Sequence, residues 1–326
     1  MNSEAMSLSV IIPTKNRPAD LESTVRSLLL QSVLPQQLVI LDQSADNKSQ
    51  QKVQALFDAL PSAVGGRLKL TYEMDGAISG LAMARNRSMT LAEGDVWLFL
   101  DDDVVMEPNF VEELCKVYAR FPHAVGVSGI ITNYPRPPWA SWLFRMIFLR
   151  GPFHDRRQSE YWRADRLRHR EPIRTDRLGG GLMSFRADAV RSYLFDEGLQ
   201  GVSDGEDVDF CVRLGPDAVL LIAPAARLEH RQSPKGRLRN HHLHRQARSI
   251  CFLYWKNWHH GFWNRLCFAW LGTGFALLAT IGSLRRFSLE PWRALFAGVR
   301  DAKDARRRAG AHRRNEGESA PRSHER

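Results

Sequence analysis

Short apolar runs alternate with amphipathic stretches along the first hundred residues of the chain. The apolar runs lie at residues 8–12, 38–41, 68–72 and 96–100. Between them, apolar residues recur at the spacing of one helical face, at residues 19–32, 53–60 and 80–92. Apolar strands that alternate with helices predict an α/β fold whose central sheet is mostly parallel and carries helices on both faces.

The residues at the ends of these strands are mostly polar. They are Pro13, Thr14, Asn16 and Arg17 after the first strand, Asp42 after the second, and Asp101, Asp102 and Asp103 after residues 96–100. Ligands of such sheets bind beyond the carboxyl ends of the strands, so we expect the chemistry there. No glycine-rich phosphate loop follows any of the strands, which argues against a Rossmann dehydrogenase and against a P-loop enzyme.

Three adjacent aspartates repel one another unless a cation lies among them. Alternate residues at a strand end point the same way, so Asp101 and Asp103 can converge while Asp102 points elsewhere. Oxygen ligands suit Mg²⁺ or Mn²⁺, which takes its remaining ligands from water and substrate phosphates. The alternative is a solvated acidic turn that caps the helix near Pro108.

A helix N-terminus is predicted at Ser203 and Glu206, which have the spacing of a capping box. The inward face of this helix consists of Asp207, Phe210, Cys211 and Leu214. The same periodicity predicts that Asp209 and Arg213 point away from the core. An inward carboxylate at Asp207 is either a general base or an anchored structural acid, and the residues alone leave both open.

A glycine run, Gly179 to Gly181, precedes the apolar residues 182–186. Glycines permit a close approach of the backbone to a ligand or to another segment. A flexible hairpin is the alternative interpretation.

Five segments of the chain, in their order and spacing, resemble a family 2 glycosyltransferase with the GT-A fold. They are residues 9–17, 39–44, 84–87, 98–103 and 205–210. The resemblance implies an inverting transfer of a sugar from a nucleotide-diphosphate donor, which is UDP-, GDP- or dTDP-linked. It also implies a transferase domain over residues 1–235, with the donor half in about 1–105 and the acceptor half in about 106–235.

The resemblance also implies roles for single residues. Asp207 would be the catalytic base that takes the proton of the acceptor hydroxyl. Asp103, Asp101 and His230 would hold a divalent cation on the diphosphate, and an imidazole among carboxylates favours Mn²⁺ over Mg²⁺. Asp42 would lie near the nucleobase of the donor and Arg85 near the donor nucleotide. All the implied substrate contacts are Pro13, Thr14, Asn16, Arg17, Asp42, Arg85, Asp101, Asp102, Gly180, Gly181 and Glu206.

Composition and charge narrow the class further. The chain has 326 residues, 44% of them hydrophobic, and four cysteines without metal-binding spacing, which excludes a disordered chain and a disulfide scaffold. No signal peptide is evident, so we expect the domain to stay in the cytosol. The net charge is +10, and 12 Lys and Arg against 6 Asp and Glu lie from Arg285 onward. The catalytic part is thus nearly neutral, which argues against nucleic-acid binding.

Residues 266–284 contain no charged residue and reach the length of a minimal transmembrane helix. Basic residues flank this stretch on both sides, so the positive-inside rule gives no orientation. A spanning helix, a helix lying in the interface and a buried core helix all remain open. We expect residues 236–299 to be helical and membrane-associated, and residues 300–326 to be a basic, disordered tail.

These features predict an enzyme of cell-surface polysaccharide or glycolipid synthesis at the cytoplasmic face of the plasma membrane, either anchored or peripheral. Its acceptor would be a glycan or a polyprenyl-lipid-linked glycan. One alternative is a nucleotidyltransferase that forms nucleotide sugars, which would need a glycine-rich loop after the first strand. Another is a non-catalytic membrane scaffold, against which the intact Asp103 and Asp207 argue.

Overall fold

The computed structural model describes residues 6–61, 66–134, 138–149, 151–153, 170–197, 205–232, 242–258 and 261–315. The strands are β1 (Leu8–Thr14), β2 (Gln37–Asp42), β3 (Lys69–Met74), β4 (Val96–Leu100), β5 (Val104–Met106), β6 (Ala124–Ile131), β7 (Ile173–Thr175), β8 (Leu182–Arg186) and β9 (Val219–His230). The α-helices are α1 (Pro18–Leu29), α2 (Lys48–Asp58), α3 (Leu81–Met89), α4 (Phe110–Arg120), α5 (Trp139–Phe144), α6 (Ala187–Val190), α7 (Glu206–Arg213), α8 (His242–Leu253), α9 (Phe262–Arg286) and α10 (Glu290–Asn315). The predicted capping residue Ser203 lies outside the described residues.

The strands form one sheet in the order β3-β2-β1-β4-β8-β6-β9-β5, with β7 paired to β9. Strands β3, β2, β1 and β4 run parallel to one another, as do β6 and β9. The alternation in the sequence predicted the parallel half correctly. Strands β8, β5 and β7 run antiparallel to their neighbours and bring later parts of the chain beside the first four strands.

The central strands are buried because both faces of the sheet carry apolar layers. On one face, Val10 of β1 packs in a cluster with Leu21 and Val25 of α1. On the other face, Ile11 packs in a second cluster that includes Phe210 of α7. Burial on both faces explains why these strands are continuous apolar runs rather than alternating ones.

The chain forms two compact units. The first comprises Met1–Leu143, Asp155–Phe195 and Glu206–Leu238, and the second comprises Phe144–His154, Asp196–Gly205 and Arg239–Arg326. The whole sheet and all the predicted site residues belong to the first unit. The helices α8, α9 and α10 belong to the second.

Helix α10 continues to Asn315, whereas the sequence predicted a disordered tail from residue 300 onward. Ala302 and Ala305 are fully buried in a cluster with Cys251 and Phe252 of α8. These two alanines, at helical spacing, therefore pack the segment against α8. The high charge of the segment had indicated disorder instead. Residues 316–326 lie outside the described part of the chain.

Candidate active site

The acidic triplet lies at the edge of the sheet where β1, β2 and β4 end. Asp101, Asp102 and Asp103 follow β4 directly, and β5 begins with the next residue. Because β5 pairs antiparallel with β9, its first residue, Val104, is opposite His230. The last residue of the last strand thus lies beside the triplet.

Asp101, Asp103 and His230 form a cluster of metal-ligand groups. Nε2 of His230 lies 2.8 Å from Oδ1 of Asp103 and 3.6 Å from Oδ2 of Asp101. One ligand atom of each residue lies within 4.8 Å of the other two. The side chains of Asp103 and His230 are buried, whereas that of Asp101 is 30% exposed, so the cluster is accessible on the Asp101 side. Two carboxylates and an imidazole suit Mn²⁺ or Mg²⁺, so these residues fit a divalent cation.

Asp102 faces away from this cluster, as the alternation of side chains at a strand end predicts. Its carboxylate accepts hydrogen bonds from the Thr14 hydroxyl at 2.7 Å and from the Arg17 guanidinium at 2.9 Å. Burial raises the pKa of Asp102 to about 6, and the bonds from Thr14 and Arg17 oppose this rise. Asp102 thus ties the turn after β1 to the turn after β4.

Two residues that the sequence did not single out hold the backbone of the cluster. The Thr24 hydroxyl donates to the carbonyl oxygens of Asp102 and Val104, both at 2.8 Å. The Asn133 amide donates to the carbonyl of His230 at 3.0 Å and accepts its N–H at 2.9 Å. Thr24 is a polar residue on the apolar face of α1, which was a usable signal. Asn133 follows β6 and carried no such signal.

Asp42 is fully buried at the end of β2, opposite Thr14 in the strand register. Its carboxylate accepts hydrogen bonds from the Tyr72 hydroxyl at 2.7 Å and from the backbone N–H of Ser44 at 2.9 Å. Burial raises the pKa of Tyr72, and the bond to Asp42 raises it further, so the hydroxyl remains a donor. These bonds fix the orientation of Asp42 at the carboxyl edge.

The remaining predicted residues, Pro13 and Asn16, lie at the end of β1 and in the turn after it, and they differ in exposure. Pro13 is buried within β1, whereas Asn16 is exposed. Asn16 has a φ of 56°, and its N–H donates to the Ser44 hydroxyl at 2.7 Å. The side chain of Asn16 is therefore accessible to a ligand. Pro13 is buried, so it can affect a ligand only through the backbone conformation that it gives to the end of β1.

Gly181 lies next to Asp101 because β8 pairs with β4. The N–H of Asp101 donates to the carbonyl of Gly181 at 3.3 Å. A Cβ atom on Gly181 would lie 2.8 Å from Oδ2 of Asp101, closer than carbon and oxygen atoms can approach. A side chain at this position would therefore have to displace the Asp101 carboxylate from its place beside His230.

Gly180 is held from both sides by charged residues. Its carbonyl accepts a hydrogen bond from Nη2 of Arg85 at 2.6 Å, and its N–H donates to Oδ2 of Asp207 at 2.8 Å. Nη1 of Arg85 also bonds Oε1 of Glu206 at 3.0 Å. Arg85, Glu206, Gly180 and Asp207 therefore form one network, which we call the glycine clamp. The chain does turn at this point, since the Leu182 N–H donates to the Gly179 carbonyl at 3.0 Å, and the clamp holds the Gly180 peptide within that turn.

Arg85 and Glu206 have protein partners rather than an open position. The Arg85 side chain is 2% exposed and that of Glu206 is 6% exposed. Burial raises the pKa of Glu206 to about 7, and the neighbouring Asp207 adds to the rise while Arg85 opposes it. Any effect of Arg85 or Glu206 on the donor would thus act indirectly, through Gly180 or Asp207. The implied direct contact of these two side chains with the donor stays a prediction.

Helix α7 presents Asp207 at its first turn, half-buried, and buries Phe210 and Cys211 as expected. The prediction for Asp209 was wrong, because this residue is fully buried instead of pointing away. Its carboxylate bonds Nε of Arg213 at 2.9 Å, and this pairing compensates the cost of burying the charge.

The fold and the site define an α/β domain with two carboxylates and an imidazole clustered at the carboxyl edge of its sheet. The sequence model of glycosyl transferase family 2 matches residues 9–193, and the chain belongs to this family. The resemblance seen in the sequence is thereby confirmed.

Two curated relatives match a limited part of the chain. A validoxylamine A glucosyltransferase of Streptomyces hygroscopicus subsp. limoneus is 31% identical over 134 residues, which are 40% of this chain and 28% of that protein. The uncharacterized glycosyltransferase YwdF of Bacillus subtilis is 31% identical over 111 residues, 34% of this chain and 38% of that protein. The matches thus span less than two-fifths of the relatives' own length.

Solved structures show the same fold over most of the chain. The mannosyltransferase PcManGT from Pyrobaculum calidifontis, in complex with GDP-Man and Mn²⁺, has a TM-score of 0.56 at 16% identity and covers 93% of this chain and 88% of its own. TarS from S. aureus, in complex with UDP-GlcNAc, has a TM-score of 0.58 at 16% identity and covers 94% and 83%. The predicted GT-A type of α/β fold is confirmed.

Proposed function

We propose that this chain is an inverting glycosyltransferase that moves a sugar from a nucleotide-diphosphate donor to an acceptor hydroxyl. The observation that carries the proposal is the cluster of Asp101, Asp103 and His230 at the carboxyl edge of a family 2 domain. Structures with the same fold bind GDP-Man with Mn²⁺ or bind UDP-GlcNAc, which supports a nucleotide-sugar donor here.

Each residue of the edge has a part in this proposal. Asp101, Asp103 and His230 would hold Mn²⁺ or Mg²⁺, which neutralises the departing nucleoside diphosphate when it is bound. The nucleoside lies along the turn after β1 and against Asp42. Asp207 accepts the proton of the attacking hydroxyl at Oδ1 or Oδ2, and its bond to the Gly180 N–H sets its orientation.

A panel of UDP-, GDP- and dTDP-sugars, with Mn²⁺ and with chelator, tests the donor part of the proposal. We expect one nucleotide class to raise the melting temperature of the protein, and only when Mn²⁺ is present. The matched control is Asp103→Ala, in which the same donor should give no shift. If no nucleotide sugar shifts the melting temperature of the wild-type protein, the proposed donor is wrong. The nucleotidyltransferase alternative predicts formation of a nucleotide sugar from a nucleoside triphosphate and a sugar phosphate, which a separate product assay detects.

We also propose that helix α9 associates with a membrane, which would place the enzyme at the cytoplasmic face of the plasma membrane. By length and composition α9 is apolar enough to cross a membrane, and only 22% of its most apolar 18-residue window is buried. Its exposed residues include Leu277, Leu278, Ile281 and Leu284. Basic side chains follow at Arg285 and Arg286, where they can contact anionic head groups.

Flotation with lipid vesicles tests this association. The full-length protein should float with vesicles that contain anionic lipid and less with neutral vesicles, because the basic flank adds to the apolar contact. The double variant Leu278→Glu and Ile281→Glu should remain at the bottom of the gradient. Equal flotation of the variant and the wild type would contradict a role of α9. Such an attachment suits a lipid-linked acceptor, whether for polysaccharide or for glycolipid synthesis.

A further inference from the structure

The helices of the second unit surround a cavity of about 260 Å³ that is separate from the sheet. Its eleven lining residues come from α8, the π-helical turn after it, α9 and α10, and none carries a charge, a hydroxyl or an amide group in its side chain. Ile250, Trp255, Phe268, Leu271, Leu295 and Val299 are among them. A cavity with such walls repels water and polar ligands, so a ligand that fills it is apolar.

The cavity has a closed floor and an accessible mouth. Ala247 and Phe275 at the floor are 2% and 6% exposed. Phe296 at the mouth is 65% exposed, and Gly272 beside it is also exposed. An apolar chain can therefore enter from the surface of the unit without unfolding it.

Size restricts the ligand to a slender one. About nine water molecules would fill 260 Å³ at their liquid volume of about 30 Å³ each. Pockets for drug-sized molecules measure about 300–1,000 Å³, so this cavity takes one segment of a hydrocarbon chain rather than a whole drug-sized molecule.

A cation lies at the Trp255 wall of the cavity. Nζ of Lys303 lies 5.7 Å from the ring centre of Trp255, which lines the cavity. Lys303 is exposed, and among the described residues its ammonium group makes no ion pair. A ligand that combines an apolar chain with a negative head group matches both features.

We infer that this cavity binds the hydrocarbon chain of an anionic membrane lipid and that Lys303 contacts the head group. The proposed membrane association of α9 supports this source, because α9 lines the cavity and only 22% of its most apolar window is buried. The inference goes beyond sugar transfer and does not depend on it. Lipid binding and donor binding are measured separately, so either proposal can fail while the other stands.

Photo-crosslinking locates the ligand. The full-length protein is placed in nanodiscs of neutral phosphatidylcholine and given decyl phosphate that carries a diazirine at the end of its chain. We expect residue-level assignment by fragmentation to place the label on Trp255, Phe268 or Phe275. Label restricted to the exposed residues Leu277, Leu278 and Ile281 would show general contact with the bilayer and would overturn the inference.

Gly272→Leu is a blocking variant that the fold can accept. A Cβ atom at Gly272 meets no other atom within 4 Å, and leucine favours the helical state more than glycine does. The added side chain occupies the cavity, so we expect labelling of the lining peptides to fall about tenfold or more. The matched control is Thr273→Leu, which places the same leucine side chain at the neighbouring exposed position and should label as the wild type does. Undiminished labelling in Gly272→Leu would overturn the inference.

The head-group contact is tested with a second pair of variants. Lys303→Gln should weaken binding of decyl phosphate about twofold to fivefold, the value typical of an exposed ion pair, and should leave binding of decanol unchanged. The control is Arg306→Gln, which removes an exposed charge from the same helix. If both variants lose the same amount, the effect is general surface charge, and Lys303 has no specific role.

Discussion

Nη1 of Arg85 lies 3.0 Å from Oε1 of Glu206, and both side chains are almost completely buried. The pair joins α3 to the first turn of α7, where the proposed base also lies. Arg85 donates a second bond to Gly180, whose N–H in turn bonds Asp207. The position of the base therefore depends on an ion pair that no substrate has to touch.

Removing one partner of the glycine clamp should destabilise the first unit. Arg85→Met leaves Glu206 buried without its cation, and we expect a loss of about 3–5 kcal/mol in the free energy of unfolding. The double variant Arg85→Met and Glu206→Leu should recover part of that loss. Urea denaturation of the four proteins of this cycle measures the coupling. A loss below about 1 kcal/mol in the single variant would contradict the importance of the pair.

Glu206 should make stability depend on pH in one direction. Its pKa rises from 4.5 to about 7 in the folded protein because burial disfavours the charged form. Its contribution to stability is thus fully present below pH 4.5 and is lost as the pH rises to about 7. The difference in free energy of unfolding between wild type and Glu206→Gln should fall by on the order of 2 kcal/mol between pH 4.5 and pH 8. A difference that stays constant over this range would show that Glu206 does not titrate there.

Asp207→Asn should keep donor binding and abolish transfer. The asparagine oxygen can still accept the Gly180 N–H, so the geometry of the clamp persists while the base is lost. We expect kcat to fall by about 10²–10⁴-fold with little change in donor affinity. Asp209→Asn is the matched control: it weakens the bond to Arg213 and hence stability, but it should leave kcat of the folded protein near the wild-type value. Normal transfer by Asp207→Asn would remove it from the role of base.

The proposed cation ligands should differ in their preference for metals. Asp103→Ala should weaken binding of both Mn²⁺ and Mg²⁺, because it removes a buried carboxylate from the cluster. His230→Ala should weaken Mn²⁺ more than Mg²⁺, since an imidazole suits the softer ion. Calorimetric titration of the wild type and both variants with each metal, in the presence of the donor nucleotide, gives the six affinities. Equal losses for both metals in His230→Ala would mean that the imidazole is not a ligand.

Asn133→Ala should lower metal affinity without removing a ligand. Asn133 bonds both the N–H and the carbonyl of His230, so its loss frees the backbone that positions the imidazole. We expect Mn²⁺ affinity to fall about tenfold. Asn86 makes the same two bonds to the backbone of Phe195 and provides a control. Asn86→Ala should cost stability but leave Mn²⁺ affinity unchanged, and a similar fall in affinity for both would point to a general loss of structure.

The sequence predicted the parts of the site that local pattern determines. The apolar run before Asp101 fixed the end of β4, and the alternation at that end correctly separated Asp102 from its neighbours. His230 reaches the cluster because β5 pairs with β9. The residues alone did not predict this pairing, and only the family resemblance implied that His230 is a ligand.

Features that helical periodicity and composition alone do not determine were missed or wrong. Asp209 was assigned to the surface by helical periodicity, but its bond to Arg213 allows a charge on the buried face. The glycine clamp joins residues from α3, from α7 and from the segment before β8, so no local pattern reveals it. The helix beyond residue 300 was hidden because charged residues dominate its composition, while the two buried alanines that anchor it are inconspicuous.

The pairing of β5 with β9 also has a consequence for folding. A cation bound by Asp103 and His230 would join the segment after β4 to the end of the final strand, across all the strands and helices that lie between them in the sequence. Ligands that bind only the native state stabilise it by mass action, about 2.7 kcal/mol at a hundredfold excess over the dissociation constant. Chelating agents in a purification buffer would then destabilise the pairing of β9 with β5 and also abolish activity. Activity lost through removal of the metal could be mistaken for poor folding.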